Sequence, residues 1–346
     1  MIRAATDPKL RLPTVTTVAT TVRAIWRSPW QLTTAVRMPG ERHTGTLPPL
    51  SEEHISLAAS LRADVTHLSV GIGERNVFKP AGYRAAESWL ARRLTELGLV
   101  VQRQAFEAHG VPCVNLSAEL PGRTRPDEVI VYGAHYDSLK DCPAANDNGS
   151  GVAAVLALAR HLSDLPADKR PARSVRFVFF ANEEPPFFYT GKMGSRVYAD
   201  ACRARNENIV AMLTPETIGC YSDAPGSQLY PLPFLSGPIG GVGDYVAFIG
   251  VGRSAPLVRE CVGLFRKLAR FPSVGAALPS IVPGVGASDH WSFWRVGYPA
   301  LMITDTAPFR YRYYHTREDL PDKMDFERMS RVVDGLHRVV RSLADR

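Results

Sequence analysis

Short apolar runs alternate along this chain with segments in which apolar residues recur every three or four positions. The runs have the length and composition of buried β-strands, and the periodic segments have the spacing of amphipathic helices. The clearest predicted strands are residues 129–134, 174–181, 209–213, 246–251 and 300–304. The clearest predicted helices are residues 82–97, 149–162, 195–204 and 256–269, together with an apolar stripe that follows Asp325. This alternation predicts an α/β sandwich with a mostly parallel sheet.

Composition narrows the class of protein. The chain has 346 residues, of which 45% are hydrophobic and 22% charged, as in globular proteins with one large α/β domain or two small ones. The net charge is +7, but it comes largely from dispersed arginines and no known nucleic-acid-reading motif accompanies it. We therefore expect no nucleic-acid partner. The five cysteines are scattered and odd in number, so we expect reduced thiols.

Two features of the pattern concern organisation and location. No run of about 18 apolar residues occurs, so we expect no membrane partner. Residues 12–22 are rich in threonine and lack a clean cleavage site, which favours a cytoplasmic location over a secretory signal. Residues 1–48 lack clear periodicity and are expected to form an N-terminal extension. Residues 49–346 are expected to form one domain, which begins at a helix capped by Ser51, and the protein is expected to be monomeric or weakly associating.

Acidic residues and histidines follow several of the predicted strands. Residues 129–134 lead into His135-Tyr136-Asp137, and residues 174–181 lead into Asn182-Glu183-Glu184. Adjacent carboxylates at the end of a buried strand are costly to hide without cations. In open α/β sheets, ligands bind beyond the carboxyl ends of the strands, and Glu216 and His315 also follow predicted strands. The pattern predicts a metal site at that edge of the sheet.

Together these segments resemble the M28 family of zinc aminopeptidases. The matching segments are His135-x-Asp137, Asn146-Asp147-Asn148-Gly149-Ser150-Gly151, Glu183-Glu184, Glu216-x-Ile218-Gly219, Ser288-Asp289-His290 and Tyr314-His315-Thr316. They stand in the family's order over roughly residues 130–320. The resemblance implies a three-layer α/β/α sandwich with a mixed, mostly parallel central sheet of the zinc-exopeptidase type. It also implies that residues 49–346 form the catalytic domain.

The resemblance implies a set of metal ligands. His135 and Glu216 would bind one zinc ion, Glu184 and His315 would bind a second, and Asp147 would bridge the two. Two such ions can activate one water molecule and polarise a carbonyl group. The implied cofactor is therefore two Zn²⁺ per chain.

Three further residues receive roles from the same resemblance. Glu183 would be the general base and later the acid that protonates the leaving amine. Asp137 would hold the ring of His135 in the ligating tautomer, and Tyr314 would donate to the oxyanion. The peptide bond between Asp147 and Asn148 is expected to be cis. Asp289 is expected to cap a helix or support the site, and His290 to line a pocket.

The implied activity is hydrolysis of the N-terminal peptide bond of peptides. Two alternatives remain: a glutaminyl-cyclase-like acyltransferase that uses one zinc ion, and a non-catalytic binding module on the same scaffold. The sequence departs from the family where Glu216 replaces a common Asp and where Pro185-Pro186 follows Glu184. Residues 222–243 are expected to be a loop beside the substrate cleft. Arg310 and Arg312 are hypothesised to meet a substrate carboxylate.

Overall fold

The computed structural model describes residues 35–230 and 236–346. In this part of the chain the strands are β1 (Gln102–Ala108), β2 (Val111–Leu120), β3 (Arg125–His135), β4 (Arg173–Phe180), β5 (Asn208–Glu216), β6 (Val246–Val251), β7 (Ser273–Leu278) and β8 (Ala300–Thr304). The helices are α1 (Glu52–Thr66), α2 (Pro80–Glu96), α3 (Gly151–Ser163), α4 (Gly194–Ala204), α5 (Ser236–Ile239), α6 (Ala255–Leu268), α7 (His290–Arg295) and α8 (Phe326–Ala344).

The strands form one mixed sheet in the order β1-β2-β4-β3-β5-β8-β6-β7. Its centre is parallel, because β4, β3, β5 and β8 run in the same direction. The pairs β1–β2, β2–β4 and β6–β8 are antiparallel. The four central strands therefore end at the same edge of the sheet, where the sequence predicts the site.

Helices cover both faces of the central sheet. On β3, Ile130 and Tyr132 pack into one hydrophobic cluster, whereas Val129 and Val131 pack into another. The alternation follows from the two-residue period of a strand. The first cluster contains residues of α1, α2, α3, α6 and α8, and the second contains residues of α4 and α7. The predicted three-layer sandwich is confirmed.

Capping residues and thiols also agree with the sequence. The side chain of Ser51 accepts a hydrogen bond from the backbone N–H of His54 at the start of α1, and that of Asp325 accepts one from Arg328 at the start of α8. All five cysteines are free thiols. Along the described ranges, no helix combines the length and the apolar character needed to cross a bilayer.

The sequence missed some elements. Strand β7 and the short helix α7 were not predicted, and the predicted loop at residues 222–243 contains the single-turn helix α5. Residues 1–34 of the predicted extension lie outside the described part of the chain. Its described remainder has no helix or strand from residue 37 to residue 51. The boundary predicted between residues 48 and 49 stays a prediction.

Candidate metal centre

The central strands deliver most of the predicted ligands to one edge of the sheet. His135 is the last residue of β3, and Glu216 is the last residue of β5. Glu184 follows the end of β4 within a few residues, and His315 follows β8. Asp147 lies in a buried turn just before α3. Residues far apart in the sequence thus meet because parallel strands share their carboxyl ends.

The five residues form two groups that share Asp147. In the first group, Nε2 of His135 lies 3.4 Å from Oδ1 of Asp147 and 3.2 Å from Oε2 of Glu216. In the second group, Nε2 of His315 lies 3.0 Å from Oδ2 of Asp147 and 3.5 Å from Oε2 of Glu184. Each carboxylate oxygen of Asp147 therefore faces a different histidine.

The donor atoms fit a divalent metal ion. Within each group, one donor atom per residue lies within 4.8 Å of the others. The atoms Nε2 of His135 and Oε1 of Glu184 are buried and have no hydrogen-bond partner in the described ranges. Buried polar atoms of this kind are costly unless something binds them. Imidazole nitrogens and carboxylate oxygens at such spacing are typical zinc ligands.

Burial and the neighbouring charges shift the pKa values of the proposed ligands. Burial raises the pKa of Glu184 well above its usual value, and burial also raises the pKa of Glu216 to about 7. Burial acts in the opposite sense on His135, but the carboxylates of Glu216 and Glu183 outweigh it and raise the pKa of that ring. Likewise, the neighbouring rings of His135 and His315 outweigh burial and lower the pKa of Asp147. Divalent cations would balance these buried carboxylates.

Glu183 lies beside both groups but belongs to neither. Its Oε2 is 3.9 Å from Nε2 of His135, and the residue is 6% exposed. Burial raises the pKa of Glu183 well above its usual value, and the neighbouring carboxylates of Glu184 and Glu216 act in the same direction. A carboxylate with this surrounding has the raised proton affinity that a general base needs.

Asp137 holds the chain that carries the two glutamates. Its Oδ1 accepts a hydrogen bond from the backbone N–H of Glu183 at 3.0 Å, and its Oδ2 accepts one from Glu184 at 3.1 Å. Its Oδ1 also lies 3.4 Å from Nδ1 of His135. Asp137 thus contacts both His135 and the glutamate pair, and the sequence indicated only the contact with His135.

Asp319 fixes the turn that carries Asp147, and the sequence did not single it out. Its Oδ1 accepts from the backbone N–H of Asn146 at 2.8 Å, and its Oδ2 accepts from that of Asp147 at 3.1 Å. Tyr311 donates a further hydrogen bond to Oδ1 at 2.8 Å. The peptide bond between Asp147 and Asn148 is cis, as expected. A carboxylate that orients a neighbouring ligand through backbone hydrogen bonds has no local sequence pattern by which it could be predicted.

A fully buried arginine, Arg75, is the second residue that the sequence did not reveal. Its guanidinium donates hydrogen bonds to the carbonyls of Tyr136 at 2.7 Å, Pro143 at 2.7 Å and Ala144 at 2.9 Å. Tyr136 follows His135, and the other two carbonyls precede Asp147. Arg75 therefore ties together the segments that carry two of the predicted ligands, and it places a positive charge beneath the carboxylates.

An apolar pocket opens beside the metal centre. Residues of β6, β7 and β8 line it, together with Glu216 and Tyr314. The ring of Tyr314 stacks on that of His315 with centroids 3.8 Å apart. The walls include Gln228, Leu229, Tyr230 and Ile239 from the segment predicted to flank the cleft.

Arg310 does not fit the hypothesis that it meets a substrate carboxylate. Its guanidinium donates to Oε1 of Gln228 at 2.7 Å and 2.8 Å, and to the carbonyls of Cys220 and Tyr245 at 3.2 Å and 2.8 Å. These contacts use most of its N–H groups inside the protein. Arg312 is exposed and contacts the hydroxyl of Tyr313. The hypothesis is therefore wrong for Arg310.

Asp289 and His290 lie at the start of α7. The side chain of Asp289 makes no cap hydrogen bond to that helix, so the capping interpretation is wrong. Asp289 is fully buried, and burial raises its pKa to about 7. Nε2 of His290 lies 2.8 Å from the carbonyl of Val285, and burial lowers the pKa of this ring to about 4. His290 belongs to neither metal-binding group, and it is not among the residues that line the apolar pocket described above.

Comparisons with known proteins agree with this geometry. The model of peptidase family M28 matches residues 115–340. The uncharacterized protein YfbL of Escherichia coli (strain K12) is 32% identical over 83% of this chain and 88% of its own length. The structure of BSAP, a zinc aminopeptidase from Bacillus subtilis, superposes with a TM-score of 0.65 at 15% identity, over 84% of this chain and 95% of that one. Porphyromonas gingivalis glutaminyl cyclase gives a TM-score of 0.62 at 20% identity, over 83% and 98%.

The chain shares the α/β fold of the Bacillus subtilis zinc aminopeptidase BSAP. The chain belongs to peptidase family M28, because the family model matches well over half of its residues. The predicted family is confirmed, and with it the prediction of a hydrolase that acts on peptide bonds.

Proposed function

We propose that this protein is a zinc-dependent aminopeptidase that removes the N-terminal residue of peptides with the help of two metal ions. The observation that carries the proposal is the pair of ligand groups joined through Asp147, with Glu183 beside them and outside both. In the proposal, His135, Asp147 and Glu216 hold one ion. Asp147, Glu184 and His315 hold the other.

The bound zinc would supply an acidified water and would polarise the scissile carbonyl. The protein's own residues manage the proton and the developing charge. The Glu183 carboxylate takes a proton from the water and returns it to the nitrogen of the leaving amine. The Tyr314 hydroxyl donates a hydrogen bond to the carbonyl oxygen as negative charge develops there. Asp137 keeps Glu183 in place through the backbone hydrogen bond described above.

The surroundings of the site favour a free N-terminus. The buried carboxylates of Glu183 and Glu216 attract a cationic amine at the place where the substrate's first residue would sit. The neighbouring pocket is lined mostly by apolar side chains, and its lining includes Glu216. An apolar first side chain would leave water on entering this pocket, whereas a charged one would lose its hydration. We therefore propose a preference for peptides that begin with an apolar residue.

A small panel of chromogenic substrates tests this function. We expect the purified protein to release nitroaniline from leucyl-p-nitroanilide far faster than from its N-acetylated form, because acetylation removes the cationic amine. A chelator should abolish the release, and added zinc should restore it. Equal rates on the free and acetylated substrates would contradict the aminopeptidase proposal.

Glutaminyl-cyclase-like chemistry is the second candidate, since a cyclase shares the fold. That activity needs one zinc ion, whereas this chain brings together two ligand groups. Metal analysis of the dialysed protein separates the two. We expect about two zinc ions per chain, and a single tightly held ion together with cyclisation of an N-terminal glutamine would favour the cyclase.

A further inference from the structure

Strands β6 and β7 line the apolar pocket with one face and contact helix α6 with the other. Alternate residues of β6 and β7 face opposite ways: Val246 and Phe248 pack under α6, whereas Ala247, Ile249 and Ala276 line the pocket. On the pocket side of these strands, the lining comes from loop residues and from Ile239, the last residue of the single-turn helix α5. A further lining residue, Val36, comes from the N-terminal segment.

Residues 35–42, which we name the strap, are docked tightly onto β7 and α6. The side chain of Met38 is buried, and a Cβ atom added at Gly275 would lie 2.8 Å from Cγ of Met38. A Cβ atom added at Gly263 would lie 3.1 Å from Cγ of Pro39. Because Gly263 and Gly275 have no side chain, they leave the space that Pro39 and Met38 of the strap occupy.

Hydrogen bonds from arginine side chains hold the strap in place. Arg266 of α6 donates hydrogen bonds to the carbonyls of Met38, Pro39 and Gly40 at 3.2, 3.2 and 2.8 Å. Arg42 of the strap donates to Oδ1 of Asp244 at 2.9 Å and to the carbonyl of Ile239 at 3.0 Å. Because Ile239 also lines the pocket, Arg42 connects the strap to a second wall.

The strap lies outside the region that the family model matches, which begins at residue 115. We propose that it is a specificity element: Val36 sets the depth of the pocket for the first side chain of the substrate, and Arg42 holds the adjoining wall. This inference rests on the proposed aminopeptidase function. It adds that a segment before the family region selects among apolar first residues by size.

The test compares leucyl-p-nitroanilide with alanyl-p-nitroanilide. In the variant Val36→Trp, the added ring fills the pocket, so the ratio of kcat/KM for leucine over alanine should fall by about tenfold or more. Arg37→Trp is the matched control. It places the same ring on the exposed neighbour of Val36, so it should keep the wild-type ratio.

A second variant reaches the strap from the domain side. Gly263→Leu pushes against Pro39 without adding an atom to the pocket lining, and it should also reduce selectivity for leucine. Melting temperatures show whether each variant is folded. If Val36→Trp does not fold, Val36→Ala decides, because a wider pocket should raise the ratio of phenylalanine over leucine by about threefold.

The outcomes separate the two proposals. If folded Val36→Trp hydrolyses both substrates with an unchanged ratio of leucine over alanine, the role of the strap is overturned and the aminopeptidase proposal stands. Where Val36→Ala decides, an unchanged ratio of phenylalanine over leucine has the same meaning. A wild-type protein that cleaves neither substrate would overturn both. A ratio that falls in Val36→Trp and Gly263→Leu but not in Arg37→Trp would support the strap.

Discussion

Asp147 is the residue on which the two ligand groups depend. Each of its oxygens faces a different histidine, and its backbone N–H is held by Asp319. In the proposal this carboxylate binds both ions, and a fixed orientation of its side chain favours that arrangement. The contacts that fix it come from residues that touch no substrate, so activity at this site depends on residues outside the ligand set.

Glu183 provides the sharpest test of the chemistry. The variant Glu183→Gln keeps the shape of the side chain but removes the carboxylate that would accept a proton. We expect kcat to fall by about 10²–10⁴-fold, which is the usual contribution of general acid–base catalysis. Zinc content measured on the same sample should stay at the wild-type level, since Glu183 belongs to neither ligand group. Wild-type turnover in this variant would show that the base has been misassigned.

A substitution at Asp319 tests whether this residue anchors the turn that carries Asp147. The variant Asp319→Asn replaces one of two accepting oxygens by an amide that faces a backbone N–H. Because the site is buried, we expect the free energy of unfolding to decrease by about 1–3 kcal/mol, measured by urea denaturation, and zinc to bind more weakly. The control is Asp322→Asn, which changes an exposed carboxylate three residues away. Equal stability in the two variants would argue against the anchoring role.

Residues at strand ends were predictable, and residues that act through the backbone were not. His135, Glu184 and Glu216 could be found because an ionisable group directly after an apolar strand is unusual. Arg75 and Asp319 act on carbonyls and N–H groups that are distant in sequence, and no local pattern marks such contacts. The hypothesis for Arg310 failed for the same reason, since its partners lie tens of residues away.

Among the elements, the strongly apolar strands were predicted best. Strands β6 and β8 were predicted with the bounds that the structure shows. Strand β7 reads Ser-Val-Gly-Ala-Ala-Leu, and its small residues carry a weak strand signal. Its glycine is explained by a tertiary contact, because Gly275 makes room for Met38. Helix α7 has six residues, too few for a helical period to emerge from the sequence.

The contact between α8 and α3 makes a prediction about pH. His337 of α8 is buried and stacks on His161 of α3 with ring centroids 5.4 Å apart. Burial lowers the pKa of His337 from 6.5 to about 3. Between these values the unfolded chain binds a proton that the folded chain does not, so this residue makes stability fall as the pH falls from 6.5 towards 3.

The variant His337→Phe should weaken that dependence, because its ring cannot take up a proton. We expect the free energy of unfolding, measured by urea denaturation at several pH values, to change less with pH in the variant over this interval. Parallel curves for the two proteins would contradict the assignment. Near neutral pH, the free energy of unfolding should change with pH in nearly the same way in the two proteins.

At the scale of the whole molecule, the site joins β3, β4 and β5 to the segments before α3 and after β8. Ions that bind these segments only in the folded state stabilise the fold by mass action, by about 2.7 kcal/mol at a ligand concentration of 100 times Kd. We therefore expect a chelator to lower the melting temperature by several degrees and zinc to restore it. His315→Ala, which lacks one ligand of the second group, should show a smaller shift. An unchanged melting temperature would argue against bound metal.

The distribution of the ligands along the chain also has a consequence for biosynthesis. The group formed by His135, Asp147 and Glu216 has left the ribosome well before His315 is translated. A nascent chain therefore contains every residue of the first proposed ligand group while one residue of the second is still missing. In the proposed two-ion arrangement, the second group is completed only after His315 has been translated and has reached Asp147 and Glu184.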